Sequence, residues 1–165
     1  MPLIDTVKIY GEAVAEVLDT DERLLAMGPV HVRRPGVFES ALIAGVDWTG
    51  LRYGRDRLRS GPPATGSWGR RTQRVLQARE VTSLDWAVTD RRLLLLDNDR
   101  VSPPHFRPLM AVPRAAIRSV RRRGRLFLQW GRVEVTFTDG SMVALVLAMV
   151  DVSAAAHFLR ALTSG

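Results

Sequence analysis

The stretch LDWAVTDRRLLLL, residues 84–96, decides the fold because it predicts a β-hairpin. In its first half, apolar side chains alternate with others on the period of a half-buried strand. Thr89 and Asp90 predict the turn. Residues 91–96, which include four consecutive leucines, predict a strand that is buried on both faces and closed by a turn at 97–99. A chain organised around this hairpin is predicted to be mainly β.

More strands are predicted on the C-terminal side of this hairpin. The strongest hairpin signal is Asp139-Gly140, since this dipeptide favours a tight turn between two strands. The proline-rich residues 102–108 predict a stiff connector. The strands after it are predicted at residues 117–122, 126–130, 133–137 and 142–147. A final helix over residues 151–163, capped by Asp151, is predicted to expose Arg160. Its buried stripe is predicted to consist of Val152, Ala155, Ala156, Leu159 and Leu162.

The N-terminal part predicts one helix and one strand. Apolar residues recur on one helical face over residues 6–18, with Asp5 as the N-cap. An acidic turn then leads into a first strand over residues 24–32, in which Gly28-Pro29 predicts a break or a bulge. The chain is therefore expected to enter its first sheet directly after a short helix.

Residues 33–80 lose this periodicity and are rich in Gly, Pro, Ser and Arg, which predicts a long basic insertion with loop character. Two pieces inside it are predicted to order. Residues 37–46 predict a short helix, and residues 70–80 predict either a helix or a strand with Val75 and Leu76 facing inward. A strand-rich core is then expected over residues 81–147.

Length and composition fit one domain over residues 1–165. The 165 residues include no cysteine, which excludes disulfides, thiolate nucleophiles and cysteine-ligated zinc. The longest apolar run, residues 142–150, is far shorter than the roughly 20 residues of a transmembrane helix. Asp5 stands where a signal peptide would be apolar. These features predict a cytoplasmic protein.

Charge is unevenly distributed along the chain. Residues 1–50 carry four bases and eight acids, whereas residues 51–165 carry 20 bases and nine acids. The net charge of +7 predicts attraction to nucleic acid, anionic lipid or an acidic partner. Of the 24 bases, 23 are arginine, a bias that codon usage in a GC-rich genome also explains.

Three segments of the sequence share the pattern of one known family. The first is AVTDRRLLLL, residues 87–96, and the second is the proline-led strand start PRAAIRSV, residues 113–120. The third is the Asp-Gly hairpin VEVTFTDG, residues 133–140, with the strand and the helix that follow it. Together they resemble the bacterial pleckstrin-homology-like and GRAM-like domains. The leading helix and the entry to the first strand, DERLL at residues 21–25, also look similar, so the likeness covers residues 19–32 and 81–163.

The resemblance implies a pleckstrin-homology-like β-barrel or strongly bent sandwich, made of two bent antiparallel sheets and capped by the C-terminal helix. The N-terminal helix and the basic insertion would decorate this barrel. In several pleckstrin-homology domains, basic residues in the connection between the first two strands hold lipid headgroups. The resemblance therefore implies a binding module and not an enzyme.

The insertion contains the main candidate binding residues. Arginines and aromatic side chains are interleaved there, a combination that suits an anionic membrane surface and also single-stranded nucleic acid. A solvated loop whose aromatic side chains fold back onto the barrel would show the same pattern. The candidates are Trp48, Arg52, Arg55, Arg57, Arg59, Trp68, Arg70, Arg71 and Arg74.

A second candidate is an arginine cluster at the turn between two predicted strands. Four guanidinium groups crowd together there and repel one another unless an anion or an acidic group joins them. The cluster predicts contact with a phosphate or an acidic peptide, although a solvent-exposed hairpin tip has the same composition. Arg91 and Arg92 are predicted instead to pair with Asp90 or with an edge strand. The members of the cluster are Arg121, Arg122, Arg123 and Arg125.

Residues suited to catalysis are scarce. His31, His105 and His157 are far apart and match no metal-ligand spacing, and no phosphate-binding glycine motif is present. We therefore expect no catalytic, cofactor or metal site. The predicted function is a non-enzymatic module, peripheral at the inner face of the membrane, that binds anionic lipid or an acidic protein partner. A nucleic-acid-binding protein that uses the insertion is the alternative, and an enzyme is the third hypothesis.

Overall fold

The computed structural model describes residues 6–30, 66–77, 84–99, 104–122, 132–147 and 152–163. Within these ranges the chain forms three α-helices and seven strands. The helices are α1 (Thr6–Ala15), α2 (Trp68–Gln77) and α3 (Val152–Thr163). A 3-10 turn, Arg114–Ala116, links the fourth and fifth strands. The strands are β1 (Leu24–Val30), β2 (Leu84–Thr89), β3 (Arg92–Asn98), β4 (Phe106–Pro113), β5 (Ile117–Arg122), β6 (Arg132–Phe137) and β7 (Met142–Val146).

The strands form two antiparallel sheets in which neighbours along the chain pair with each other. One sheet has the order β1-β2-β3-β4, and the other has the order β5-β6-β7. The hairpin predicted at residues 84–96 is confirmed, with Trp86 opposite Leu95 and Val88 opposite Leu93. The prediction of a mainly β fold with two sheets is confirmed. The described strands do not close into a barrel, so that part of the expectation is wrong.

The main hydrophobic core lies between the two sheets. Trp86, Leu95 and Phe137 are among its largest fully buried side chains. Leu94 points to the other face of the four-stranded sheet, where it packs with Val14 of α1. The prediction of a strand buried on both faces is therefore confirmed for β3. The prediction that β2 is half-buried is wrong: β2 is buried on both faces because α1 covers the face that was expected to meet solvent.

Two helices lie at the edges of the sandwich. α2 packs against β4, β6 and β7, and α3 packs against β1, β2 and β5. Phe158 of α3 meets Trp86 edge to face, with 5.0 Å between the ring centroids. The Arg114 guanidinium donates to the carbonyl oxygens of Ala161 and Leu162, each at 2.8 Å, and so caps the C-terminus of α3. Each of these two helices therefore contacts strands of both sheets.

Two expectations about β3 and β4 are wrong. Residues 97 and 98 extend β3 instead of forming a turn, because the buried Asn98 side chain donates to the Asp85 carboxylate at 3.0 Å. Residues 106–108, expected in a connector, begin β4, and the rest of β4 is not predicted by the sequence pattern either. Pro108 fits there because β4 is an edge strand whose ladder with β3 shifts register beside it.

α1, β1 and α3 differ from the predictions in details of where they end and which side chains they bury. α1 ends at Ala15 instead of residue 18. Gly28-Pro29 continues β1 without a break, and the register shift of the β1–β2 ladder lies between Leu24 and Ala26 instead. Gly28 lies against the Trp86 indole, where a Cβ would come within 3.1 Å of the ring. In α3 the buried stripe is displaced around the helix relative to the prediction. Its most buried members are Ala155, Phe158 and Ala161.

Some predicted elements lie outside the described residues. They are the helix over residues 37–46, the strand over residues 126–130, the turn over residues 123–125 and the two caps Asp5 and Asp151. The described part of the insertion contains α2, so the choice between helix and strand is resolved in favour of a helix. Of the helices in the described ranges, none is long and apolar enough to cross a membrane.

Candidate functional site

Four of the predicted binding residues lie together on α2. They are Trp68, Arg70, Arg71 and Arg74. Two others, Arg121 and Arg122, lie on β5. The remaining candidates lie outside the described residues; they are Trp48, Arg52, Arg55, Arg57, Arg59, Arg123 and Arg125. α2 therefore carries the largest described share of the candidate site.

α2 has one apolar face and one basic face. Trp68, Val75 and Leu76 pack against the main core, which confirms the inward direction predicted for the last two. At about 100° per residue, the three arginines fall within an arc of about 100° on the other side of the helix. Arg70 is half-buried, and the other two arginines are exposed. We refer to Arg70, Arg71 and Arg74 as the α2 arginine face.

No ion pair neutralises the α2 arginine face within the described part of the chain. The guanidinium carbon of Arg71 lies 5.5 Å from the centroid of the Trp68 ring, a cation–π contact that fixes its direction. Positive groups on one helix face repel one another unless an anion lies between them. Anionic groups in front of these arginines would therefore stabilise the surface.

The turn between β6 and β7 holds the N-terminus of α2. The Asp139 carboxylate accepts hydrogen bonds from the backbone N–H of Trp68 at 2.8 Å and of Ser141 at 2.9 Å. The Ser141 hydroxyl donates to Asp139 and accepts the backbone N–H of Gly69 at 2.8 Å. We call this arrangement of Asp139 and Ser141 the turn clasp. It fixes the direction in which α2 presents its arginines.

The same contacts set the charge state of Asp139. Burial alone would raise the pKa of this carboxyl, but hydrogen bonds from the Ser141 hydroxyl and from the N–H groups of Trp68 and Ser141 hold it below its ordinary value. A carboxylate at a helix N-terminus also interacts favourably with the helix dipole. The turn itself was predicted from Asp139-Gly140 and is confirmed by the positive φ of 79° at Gly140.

The backbone N–H groups in the first turn of α2 all have partners. Those of Trp68 and Gly69 bond to the turn clasp. Those of Arg70 and Arg71 bond to the hydroxyl and the carbonyl oxygen of Ser67, at 3.3 Å and 3.0 Å. A helix N-terminus binds an anion through such groups only when they are unpaired. At α2 the arginine side chains therefore supply the anion-binding groups.

Gly69 permits the close contact between α2 and β7. A Cβ at this position would lie 3.0 Å from the backbone N and O of Met142 and from the Ser141 Cβ. We expect Gly69→Ala to lower the free energy of unfolding by about 1–3 kcal/mol, because backbone atoms cannot move aside as a flexible side chain does. Urea unfolding followed by circular dichroism measures this loss.

Gly11 in α1 provides the matched control. A Cβ there meets only Val7, at an ordinary 4.0 Å. Gly11→Ala is expected to raise the free energy of unfolding by about 0.5–1 kcal/mol, because alanine is favoured over glycine inside a helix. A Gly69→Ala protein as stable as the wild type would contradict the close contact between α2 and β7.

The arginines of β5 are separate from the α2 arginine face. Arg121 and Arg122 are both exposed. β5 forms one edge of the three-stranded sheet, whereas α2 packs at the opposite edge, on β7. Arg121 stands opposite Glu134 of β6 in the ladder. In its described part, the structure does not bring the two predicted arginine clusters together.

A partly buried ion pair supports the β2–β3 turn and is not indicated by the sequence pattern. Arg92 was expected to pair with Asp90. It pairs instead with Glu22 at 2.6 Å and with Asp19 at 3.2 Å. Asp90 instead accepts the backbone N–H of Arg23 at 3.0 Å. Glu22 and Arg92 are 70 positions apart, so no local spacing could reveal the pair.

The two described histidines lie on different parts of the chain: His105 directly precedes β4, and His157 lies in α3. His105 is exposed and His157 is half-buried, while His31 lies outside the described residues. Within the described ranges, no three His, Asp or Glu side chains come together as metal ligands. The candidate site is therefore a basic helix face with a turn that fixes it.

No family model, curated protein or solved structure matches this chain.

Proposed function

We propose that this chain is a pleckstrin-homology-like module that binds an anionic membrane surface through the α2 arginine face. The observation that carries the proposal is that these three guanidinium groups have no acidic partner among the described residues. A cationic side chain near an anionic bilayer contributes about 1 kcal/mol. Three of them contribute about 3 kcal/mol, which corresponds to roughly 100-fold in affinity.

The order of the elements supports the pleckstrin-homology-like assignment. A four-stranded and a three-stranded antiparallel meander follow each other, and the helix after β7 packs against strands of both. This order agrees with the resemblance of residues 87–96, 113–120 and 133–140 to that family. α2 lies in the connection between β1 and β2. Basic residues in that connection are what the resemblance implies for a binding surface.

The composition of the exposed face favours a membrane over an acidic protein partner. A stable protein interface needs an apolar centre that is shielded from water. The apolar side chains of α2, Trp68, Val75 and Leu76, pack against the protein's own core instead. The α2 arginine face therefore offers charge without an apolar anchor. A dense anionic lipid surface attracts such a face through its electrostatic potential alone.

Nucleic acid remains the alternative that the experiment must distinguish. Binding of single strands relies on aromatic side chains on which bases stack. Trp68 is half-buried, packs against the core and carries the Arg71 guanidinium over its ring. It is therefore poorly placed to stack on a base. Phosphate contacts alone would still attract duplex DNA, so DNA is included as a competitor.

Co-sedimentation with vesicles tests the proposal. The wild-type protein is expected to pellet with vesicles that contain phosphatidylglycerol and to stay in solution with pure phosphatidylcholine. The variant R70Q/R71Q/R74Q is expected to bind the anionic vesicles roughly 100-fold more weakly. Raising the salt from about 0.1 M to about 0.5 M is expected to release the wild type, since salt screens exposed charges.

The matched control removes the same number of charges elsewhere on the surface. Arg23, Arg91 and Arg118 are exposed and lie outside α2. The variant R23Q/R91Q/R118Q is therefore expected to bind anionic vesicles far more tightly than R70Q/R71Q/R74Q. Equal losses in the two variants would show that only net charge matters and would overturn the site. Complete release of the wild type by excess DNA would favour the nucleic-acid alternative.

A further inference from the structure

We infer that the α2 arginine face responds to the charge density of a lipid surface and not to the chemical identity of one headgroup. This inference rests on the proposed function, because it concerns the same three arginines. Two features of α2 carry it: Arg71 is turned away from Arg70 and Arg74 towards Trp68, and the backbone donors beside the arginines are already occupied.

The directions of the three side chains argue against a site for one headgroup. Recognition of a single phosphate needs polar groups that converge on it. Arg70 and Arg74 lie one turn apart on the same side of the helix, whereas Arg71 projects about 100° away from Arg70. The guanidinium of Arg71 lies over the ring of Trp68, which is on the side away from Arg70. A diverging array faces several headgroups of a flat surface more readily than it surrounds one.

The backbone donors of α2 are closed to a phosphate. The N–H groups of Trp68 and Gly69 are held by the turn clasp, and the next two are held by Ser67. The Asp139 carboxylate stands at the same end of the helix and would repel a phosphate. A headgroup therefore gains no neutral donors there in exchange for its hydration. Only the guanidinium groups attract it, and they attract every anionic headgroup alike.

Vesicles of matched surface potential test this inference. Phosphatidylcholine vesicles are prepared with phosphatidylglycerol, phosphatidylserine or phosphatidic acid, each adjusted to the same zeta potential. The three dissociation constants are expected to agree within about twofold. A preference of about tenfold for one lipid at equal potential would overturn the inference and leave the proposed function in place. Absence of binding to all three would overturn the proposed function, and the inference with it.

A lysine variant provides an independent test. R70K/R71K/R74K keeps the three charges but loses the planar fork through which arginine binds one phosphate with two hydrogen bonds. We expect it to bind all three vesicle types within about threefold of the wild type. A loss as large as that of R70Q/R71Q/R74Q would overturn the inference while the proposed function stands. Far-UV circular dichroism checks that each variant is folded.

Discussion

Replacing Glu22 with glutamine is expected to lower the free energy of unfolding by about 3–5 kcal/mol at neutral pH. The Glu22 side chain is fully buried, and its carboxylate accepts hydrogen bonds from the Thr89 hydroxyl at 2.6 Å and from Arg92 at 2.6 Å and 2.8 Å. Glutamine keeps the shape but removes the charge, so Arg92 loses its buried partner. Asp19, 3.2 Å from Arg92, replaces it only in part because Asp19 is exposed.

The size of this effect should depend on pH. Burial alone would raise the pKa of Glu22, but hydrogen bonds from Arg92, Thr89 and the Asp19 N–H, together with the Arg92 charge, lower it from 4.5 to about 2. The unfolded chain therefore takes up the proton more readily than the folded protein. The stabilisation is complete above about pH 4.5 and is lost as the pH falls towards about 2. Such a lowering corresponds to about 3 kcal/mol.

Urea denaturation between about pH 7 and about pH 2.5 measures this dependence. The difference in stability between the wild type and E22Q is expected to shrink as the pH falls, because protonated glutamate resembles glutamine. Asp21→Asn, which changes a neighbouring exposed carboxylate, is the control and should stay within about 0.5 kcal/mol of the wild type. A difference that stays constant over this range would contradict the role assigned to Glu22.

Trp86→Ala is expected to lower the free energy of unfolding by about 3–5 kcal/mol. The indole is 1% exposed and lies between Gly28 of β1 and Phe158 of α3. Its loss leaves a cavity beside Gly28, which has no side chain to fill it. The contact with Phe158 disappears as well, so α3 loses its main aromatic anchor on the sheet. Urea unfolding followed by far-UV circular dichroism measures the loss.

Trp86→Phe serves as the control because it keeps a ring against Phe158. The indole Nε1–H has no hydrogen-bond partner among the described residues. Phenylalanine removes this unsatisfied donor. The stability gained in this way offsets part of the stability lost to the cavity, which is smaller than the one that alanine leaves. The expected loss is about 1–2 kcal/mol, well below that of alanine. Equal losses in the two variants would contradict this account of the core.

Local patterns predict the elements whose signals lie within a few residues. The hairpin at residues 84–96 follows from alternation, and α3 follows from its helical period. β4 escapes prediction because Pro108 and Pro113 are typical of connectors. They are tolerated because β4 lies at the edge of its sheet, where some N–H groups need no ladder partner. An edge position is a property of the whole sheet, so the eight residues of the strand do not reveal it.

The candidate site also has one part that the local sequence predicts and one part that it does not. Composition alone points to the arginines of residues 70–74, and the apolar spacing of Val75 and Leu76 is compatible with the helix that carries them. The turn clasp is not predictable in this manner, because Trp68 and Asp139 are 71 positions apart. Such pairs meet only when the tertiary structure forms. The local pattern assigns Asp139 to a turn, and the structure adds its hydrogen bond to α2.

The ladder between β1 and β2 brings together the two ends of a long connection. Val30 stands opposite Leu84, so the chain leaves the sheet and returns to it at one strand pair, although residues 31–83 lie between. Closing a loop costs only about 0.6 kcal/mol more for each doubling of its length. Because α2 packs against the core and is held by the turn clasp, such changes of length are inexpensive for the sheets only outside α2. The connection can therefore lengthen or shorten on either side of α2 while both sheets keep their register.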